Sequence, residues 1–225
     1  MEGSSSRIPW LSKRDRVLSF AGLAIGILYL IAQFTGVRWL SMICKPIPVL
    51  LMAYWVSTLP GKGRYQLAVA VGLLFSAAGD ILLNLPPEFF VLGLAAFLLA
   101  HVAYTVAFSG DSRQIFPARA LGAYLFGATM FALLYFAGDL GEMTIPVLAY
   151  VFVISTMLWR AACRVGAPGV SEFSAKAGMI GALLFTLSDA VLALNMFLTP
   201  IPLATLIIMS MYWSGQLGIT LSARR

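Results

Sequence analysis

The sequence has few of the residues from which hydrolytic metal centres are built. Its 225 residues include one histidine, His101, and two cysteines, Cys44 and Cys163. One histidine and two distant cysteines cannot assemble a three-histidine catalytic zinc site or a cysteine-rich structural one. This composition excludes the membrane hydrolases that rely on a three-histidine zinc centre. We therefore expect neither a metal nor another cofactor.

Charged residues are also scarce, at 11% of the chain, whereas 60% of the residues are hydrophobic and the mean hydropathy is +0.91. Soluble domains carry about 25% charged residues, so this composition indicates a polytopic membrane protein. The net charge of +6 does not indicate nucleic-acid binding, because the lysines and arginines fall in short loops, where they act as topology signals. The sequence also lacks a Gly-x-Ser-x-Gly motif, which argues against serine-type acyl transfer.

The apolar runs predict an all-α membrane domain. Inside a bilayer every backbone polar group must be satisfied, and apolar runs of about 20 residues without alternation favour helices over a barrel. Residues 1–16 are polar and basic and are interpreted as a cytoplasmic tail, and residues 17–222 as a single domain of eight transmembrane helices. The predicted spans cover about 17–35, 40–59, 65–85, 88–108, 118–136, 145–163, 175–198 and, after Pro200, up to about 221.

The basic residues support this count of spans and predict that both termini are cytoplasmic. Of the fifteen lysines and arginines, only Arg38 and Lys45 then fall toward the outer face, as expected when positive charge marks the inner side. The thirteen on the inner side are Arg7, Lys13, Arg14, Arg16, Lys62, Arg64, Arg113, Arg119, Arg160, Arg164, Lys176, Arg224 and Arg225.

Two of the predicted spans carry a carboxylate inside similar apolar stretches. The third contains GLLFSAAGDILLN with Asp80, and the seventh contains GALLFTLSDAVLALN with Asp189. An acid inside such a run costs about 2.5–3.5 kcal/mol on insertion scales, so intramembrane acids usually serve a function. The similarity suggests two parallel four-helix repeats, with both acids in one lipid-accessible cavity toward the outer face. The alternative is that both acids are polar residues that serve only the packing of the helices.

Further polar residues share helix faces with these acids or lie at a comparable depth. For each serine, tyrosine or glutamine the alternative role is hydrogen bonding between helices, and for His101 it is packing. Lys45 either extends to the interface or points inward as a counter-ion or phosphate contact. The candidates identified in this way are Lys45, Ser76, Asn84, His101, Tyr104, Tyr212 and Gln216.

A pair of carboxylates in one low-dielectric cavity predicts a particular chemistry. Both cannot ionise easily, so the pair is expected to hold one proton and to titrate as a unit. One acid then serves as a general acid and the other as a base or electrostatic stabiliser. This machinery suits bonds that break by protonation through an oxocarbenium-like ion, and it needs no metal.

Several short motifs together resemble the YhhN-like lysoplasmalogenase family over nearly the whole chain. They are Lys45-Pro46, Gly79-Asp80, His101 with Tyr104, Met157 to Arg160, Leu183 to Phe185 leading to Ser188-Asp189, and Met209 through Tyr212 to Gln216. The resemblance implies an enzyme that cleaves the sn-1 vinyl ether of lysoplasmalogen, with Asp80 and Asp189 as the essential acids. It also adds Ser188 and Asn195 to the candidate substrate-binding residues.

Two other classes of function are compatible with buried acids in a repeated fold. A proton-coupled transporter of a small molecule or lipid would use the same pair, and a structural lipid-binding protein would tolerate the loss of either acid. The expected membrane is the endoplasmic reticulum if the protein is eukaryotic and the inner membrane if it is bacterial. Apart from membrane lipid and the lysophospholipid substrate, no partner and no oligomeric state is predicted.

Overall fold

A computed structural model describes residues 12–61 and 63–224, and this part of the chain is helical and contains no β-strand. The all-α prediction is therefore confirmed. Short 3-10 helices at Pro87–Phe89 and Gly141–Met143 precede two of the longer helices. The α-helices are α1 (Lys13–Phe34), α2 (Arg38–Cys44), α3 (Ile47–Ser57), α4 (Arg64–Leu82), α5 (Phe90–Asp111), α6 (Pro117–Ala137), α7 (Thr144–Cys163), α8 (Glu172–Phe197) and α9 (Ala204–Ser222).

Seven helical stretches in the described residues are long and apolar enough to cross a membrane, with α2 and α3 counted as one stretch. The chain is thus an integral, multi-pass membrane protein. The helix α9 is not among the seven, because polar residues such as Gln216 and Thr220 lower its mean hydropathy. Its packing against α8 is nevertheless the most extensive of any helix pair among the described residues.

The helices lie where the apolar runs predict them, with one notable difference. The second run was expected as one span, but it is broken at Lys45 and Pro46 into α2 and α3. Proline has no N–H to donate, and its ring clashes with the carbonyl four residues earlier, so Pro46 is the physical reason for this break. Of the residues used to predict topology, Arg7, Lys62 and Arg225 lie outside the described residues.

Glycines allow α8 and α9 to pack backbone against backbone. A Cβ placed on Gly181 would lie 2.6 Å from the backbone nitrogen of Ile219, and one on Gly215 would lie 2.8 Å from that of Phe185. In the first half of the chain, Gly72 of α4 leaves room for the side-chain ring of Tyr104 on α5. These contacts fix the two acid-bearing helices against the helices that follow them.

Two buried arginines hold the helix ends at the side where α7 ends and α8 begins. Arg164 is fully buried, and it pairs with Asp111 at 2.8 Å and donates to the hydroxyl of Ser174 at 2.6 Å. Arg160 donates to the hydroxyl of Ser109 at 2.9 Å and to the backbone oxygen of Ser112. Carbonyls at helix ends have no partner within the helix, and these side chains supply one.

We expect Gly181→Ala to lower the stability of the protein, because the new methyl group meets the backbone of α9 and the helices must separate. Such overpacking costs about 1–3 kcal/mol. Gly122→Ala on α6 is the matched control, since a Cβ there meets no atom of the described residues within 4 Å and alanine favours a helix by about 1 kcal/mol relative to glycine. The midpoint of thermal unfolding in detergent distinguishes the two variants. An equal midpoint for both would contradict the close packing of α8 on α9.

Candidate functional site

A cavity opens among α4 to α9 beside the break between α2 and α3, with an empty volume of about 1140 Å³ that includes the space at its mouth. The charged residues among its described lining are Lys45, Asp80 and Asp189. Most of the remaining wall is apolar, including Phe126 and Met130 of α6, Val147 of α7 and Met196 and Phe197 of α8. The cavity therefore combines a small polar patch with a large apolar surface inside the membrane domain.

Asp80 lies in the last turn of α4, and only 1% of its side chain is exposed. The hydroxyl of Tyr212 on α9 donates to its Oδ2 at 2.8 Å. Nζ of Lys45 lies 3.8 Å from its Oδ1. The helix break at Pro46 thus accompanies a lysine that points inward at 13% exposure, rather than toward the membrane surface.

Asp189 lies in the middle of α8 and is more open, at 16% exposure. The hydroxyl of Tyr150 on α7 donates to its Oδ2 at 2.5 Å. Nε2 of His101 on α5 is 3.7 Å from the same oxygen, which is too long for a direct hydrogen bond. The imidazole itself is fully buried, with ring centroids 5.1 Å from Tyr150 and 4.6 Å from Phe185.

The two acids have partners in a crossed arrangement. Each is contacted by a residue that precedes it in its own half of the chain, where α1 to α5 form the first half and α6 to α9 the second. This residue is Lys45 for Asp80 and Tyr150 for Asp189. Each also faces a residue from the last helix of the other half. Tyr212 of α9 binds Asp80, and His101 of α5 approaches Asp189. Completing either acid's surroundings therefore requires both halves.

Behind the cavity lies a second polar layer that is buried from solvent and lipid. The hydroxyl of Tyr104 donates to Oε1 of Gln216 at 2.7 Å, and it lies 3.4 Å from the hydroxyl of Ser76. All three side chains are fully buried and do not line the cavity. They link α4, α5 and α9 directly beneath Asp80 and Tyr212, which suits them to hold these helices in register.

Three predicted substrate-binding residues remain, namely Ser188, Asn195 and Asn84. Ser188 lines the cavity, but its hydroxyl donates to the backbone oxygen of Ile208 at 3.0 Å. Asn195 accepts from the backbone N–H of Ile201 at 2.8 Å and so closes the turn after α8. Asn84 follows the end of α4 outside the described lining, and its buried amide nitrogen has no hydrogen-bond partner among the described residues. The structure thus gathers Lys45, Asp80, Ser188, Asp189 and Tyr212 at the cavity and leaves the other predicted residues outside its wall.

Tyr150 is the functional candidate that sequence reasoning missed. It is an isolated tyrosine in a predicted span, with no polar residue spaced to share its face nearby. The sequence did contain one signal for Tyr150, namely its hydroxyl group. A phenol in the middle of an apolar span needs a hydrogen-bond partner. Thr186 and Ser155 also line the cavity and were not predicted.

The fold and this site define a class, namely helical membrane proteins with a pair of carboxylates in an intramembrane cavity. Comparison with known sequences is more specific. The YhhN family profile matches residues 40–223, and the chain belongs to this family. The resemblance inferred from the short motifs is thereby confirmed.

Relatives with assigned names agree with this assignment. The lysoplasmalogenase TMEM86B of Homo sapiens is 38% identical over 191 residues, which cover 83% of this chain and 76% of the relative. The human lysoplasmalogenase TMEM86A is 33% identical over 193 residues, covering 82% and 78%. A lysoplasmalogenase of Mycobacterium bovis is 32% identical over 198 residues, covering 81% and 72%. No solved structure matches the chain.

We expect Lys45→Met to destabilise the protein, because it leaves the buried Asp80 without its cation. The cost is about 1–3 kcal/mol, since Asp80 can take up a proton to avoid an unpaired charge. The same change should cost much less in an Asp80→Asn background. The midpoints of thermal unfolding of the wild type, the two single variants and the double variant measure how far the effect of the Lys45 change depends on Asp80.

Lys176→Met is the matched control for this cycle. Lys176 pairs with Glu172 on the surface of α8, where both side chains are more than half exposed. Exposed pairs contribute little to stability, so we expect no measurable change. Equal losses for Lys45→Met in both backgrounds would show that Lys45 does not act through Asp80.

Proposed function

We propose that the protein is a lysoplasmalogenase, an enzyme that hydrolyses the sn-1 vinyl ether of lysoplasmalogen to a fatty aldehyde and glycerophosphocholine or glycerophosphoethanolamine. The observation that carries the proposal is the pair Asp80 and Asp189, which line one cavity inside a bundle whose wall is otherwise mostly apolar. The names of the relatives supply the substrate class.

The chemistry of a vinyl ether matches this pair of acids. Protonation of the β-carbon forms an oxocarbenium ion, water adds to give a hemiacetal, and the hemiacetal collapses to the aldehyde. A general acid and a general base inside a water-poor cavity suffice for these steps. In the proposal one aspartate donates the proton, and the other stabilises the cation and activates water.

The shape of the cavity suits a lysolipid with a single long chain. Its apolar wall has room for the alkenyl chain, and its polar patch lies where the reacting ether would sit. Met196 lines the cavity and is also 48% exposed, so the wall continues to the outer surface of α8. This continuity supports entry of the substrate from the bilayer rather than from water.

We further infer that α9 crosses the membrane as an eighth span and that both termini are cytoplasmic. Its packing along α8 and the concentration of basic residues on one side support this topology. Gly72 of α4 and Gly181 of α8, each eight residues before the acid of its helix, both lie close against the following helix, which supports two parallel four-helix repeats. In this proposal residues 17–222 form the transmembrane domain, in the endoplasmic reticulum of a eukaryote or the inner membrane of a bacterium.

The transporter alternative gains no support from the named relatives, which are lysoplasmalogenases.

We expect Asp80→Asn and Asp189→Asn each to lower the release of aldehyde from lysoplasmenylcholine by at least about 100-fold, because each removes a group that transfers protons. Purified protein in detergent is assayed with EDTA present and with an ester lysolipid as the control substrate. Asp139→Asn is the matched control variant, since Asp139 is exposed in the loop between α6 and α7.

Near-normal turnover by either folded Asp80→Asn or Asp189→Asn protein would refute the paired-acid mechanism. The absence of aldehyde from lysoplasmenylcholine with folded wild-type protein would refute the hydrolase itself.

We also expect reporter proteins fused to the N-terminus and the C-terminus to be on the cytoplasmic side, because positive charge is retained there. Protease protection in sealed membranes measures this. A reporter fused in the loop between α6 and α7, at Asp139, should face the opposite side. Termini on opposite sides would contradict a count of eight spans.

A further inference from the structure

We propose that the two aspartates have fixed and different roles. Asp80 is the carboxylate that acts as the base, held in that state by Lys45, and Asp189 is the acid that protonates the vinyl ether, oriented by Tyr150. In this assignment Lys45 is a positioning residue for Asp80, not a ligand of the substrate's phosphate. The assignment rests on the hydrolysis proposed above and adds to it which acid does what.

The balance of charge in the cavity is the first argument. Its described lining includes one cation, Lys45, and two acids. A low-dielectric site holds charges only when they are paired, so one lysine can offset one carboxylate. The second acid must then carry a proton. The acid that contacts Lys45, at 3.8 Å, is Asp80.

The surroundings of Asp80 stabilise a carboxylate. Lys45 approaches Oδ1 and the hydroxyl of Tyr212 donates to Oδ2, so each oxygen faces a donor. A cation at this distance favours the charged form of an acid. Because Asp189 also accepts a hydrogen bond from a tyrosine hydroxyl, Lys45 is the group that distinguishes the two acids. Because Lys45 is committed to this contact and only 13% of it is exposed, it is poorly placed to bind a phosphate at the membrane surface.

The surroundings of Asp189 instead fix which of its two oxygens carries the proton of the carboxyl group. The hydroxyl of Tyr150 occupies Oδ2 at 2.5 Å, and among the described residues Oδ1 accepts no hydrogen bond. A proton on the carboxyl group therefore resides on Oδ1. The nearby imidazole of His101 is fully buried against two aromatic rings, where a compensating positive charge is costly. At 16% exposure, Asp189 is also the more accessible of the two acids.

These roles close a complete catalytic cycle. The proton of Asp189 moves to the β-carbon, the π electrons form the new C–H bond, and an oxocarbenium ion remains beside an ionised Asp189. Water then adds to the oxocarbenium carbon while Asp80 takes one of its protons, which gives the hemiacetal.

In the second half of the cycle Asp189 takes the hydroxyl proton of the hemiacetal and the bond from carbon to the glycerol oxygen breaks. Asp80 returns its proton to that oxygen. Both acids are then in their starting states, and the net reaction has consumed one molecule of water.

The two acids are distinguished by chemical rescue with formate. Formate is ionised near neutral pH, as carboxylic acids are, so it can replace a missing base but not a missing acid. We expect Asp80→Gly to regain aldehyde release from lysoplasmenylcholine by about tenfold or more in formate, whereas Asp189→Gly stays inactive. Rescue of Asp189→Gly instead of Asp80→Gly would overturn the assignment.

The role of Lys45 is tested with two substrates that share the vinyl ether, lysoplasmenylcholine and the phosphate-free 1-alkenylglycerol. We expect Lys45→Met to lower kcat by about 10- to 100-fold by the same factor on both, with KM nearly unchanged, because the loss lies in Asp80. Lys45→Arg, which keeps the charge, should recover most of this loss. A loss of activity confined to lysoplasmenylcholine and expressed as a higher KM would show that Lys45 binds phosphate. That result would overturn the role proposed for Lys45.

Tyr150→Phe tests the orientation of the acid. It should lower kcat by about tenfold with little change in KM, because only proton transfer is affected. Unchanged kcat would overturn the role of Tyr150. Each comparison is made against wild-type protein that releases aldehyde, so a failure of the assignment is distinct from a failure of the proposed hydrolase activity, in which the wild type itself is inactive.

Discussion

The pairing of charge inside a membrane is the constraint on which the rest of this structure depends. Two carboxylates placed within apolar helices are tolerated only if partners reach them through the bundle. The partners are a lysine that sits at a helix break and two tyrosine hydroxyls from α7 and α9. The break at Pro46 is therefore part of the site, because a lysine next to an interrupted helix can be directed into the bundle instead of along its surface.

The packing of the helices serves the same end. Backbone contact at Gly181 and Gly215 fixes α9 against α8, and this position carries Tyr212 toward Asp80 on α4. The buried hydrogen bond from Tyr104 to Gln216 ties α5 to the same helix. A site whose parts come from separate helices needs such rigid joints, since a displacement of about 1 Å is enough to impair proton transfer. The apolar residues that face outward need only be compatible with lipid.

Much of this could be predicted from the sequence, and the remainder shows where pattern reasoning ends. The positions of the helices and the two acids followed from the apolar runs and from the cost of burying charge. Periodicity reveals which residues share a face of one helix, but it does not reveal which residue of another helix meets them. Tyr150 was missed for that reason, and Ser188 and Asn195 were expected to meet substrate although their side chains bind backbone groups nearby.

The crossed partners of the two acids have a further consequence for the origin of the site. Two identical halves, associated as a dimer, would surround both aspartates with the same groups and give them equal acidity. Division of labour needs a difference, and the chain has one, since Asp80 has a lysine where Asp189 has a tyrosine. In a single polypeptide a residue beside one acid can change without any change beside the other. The unequal pair is thus a property that a symmetric homodimer could not possess.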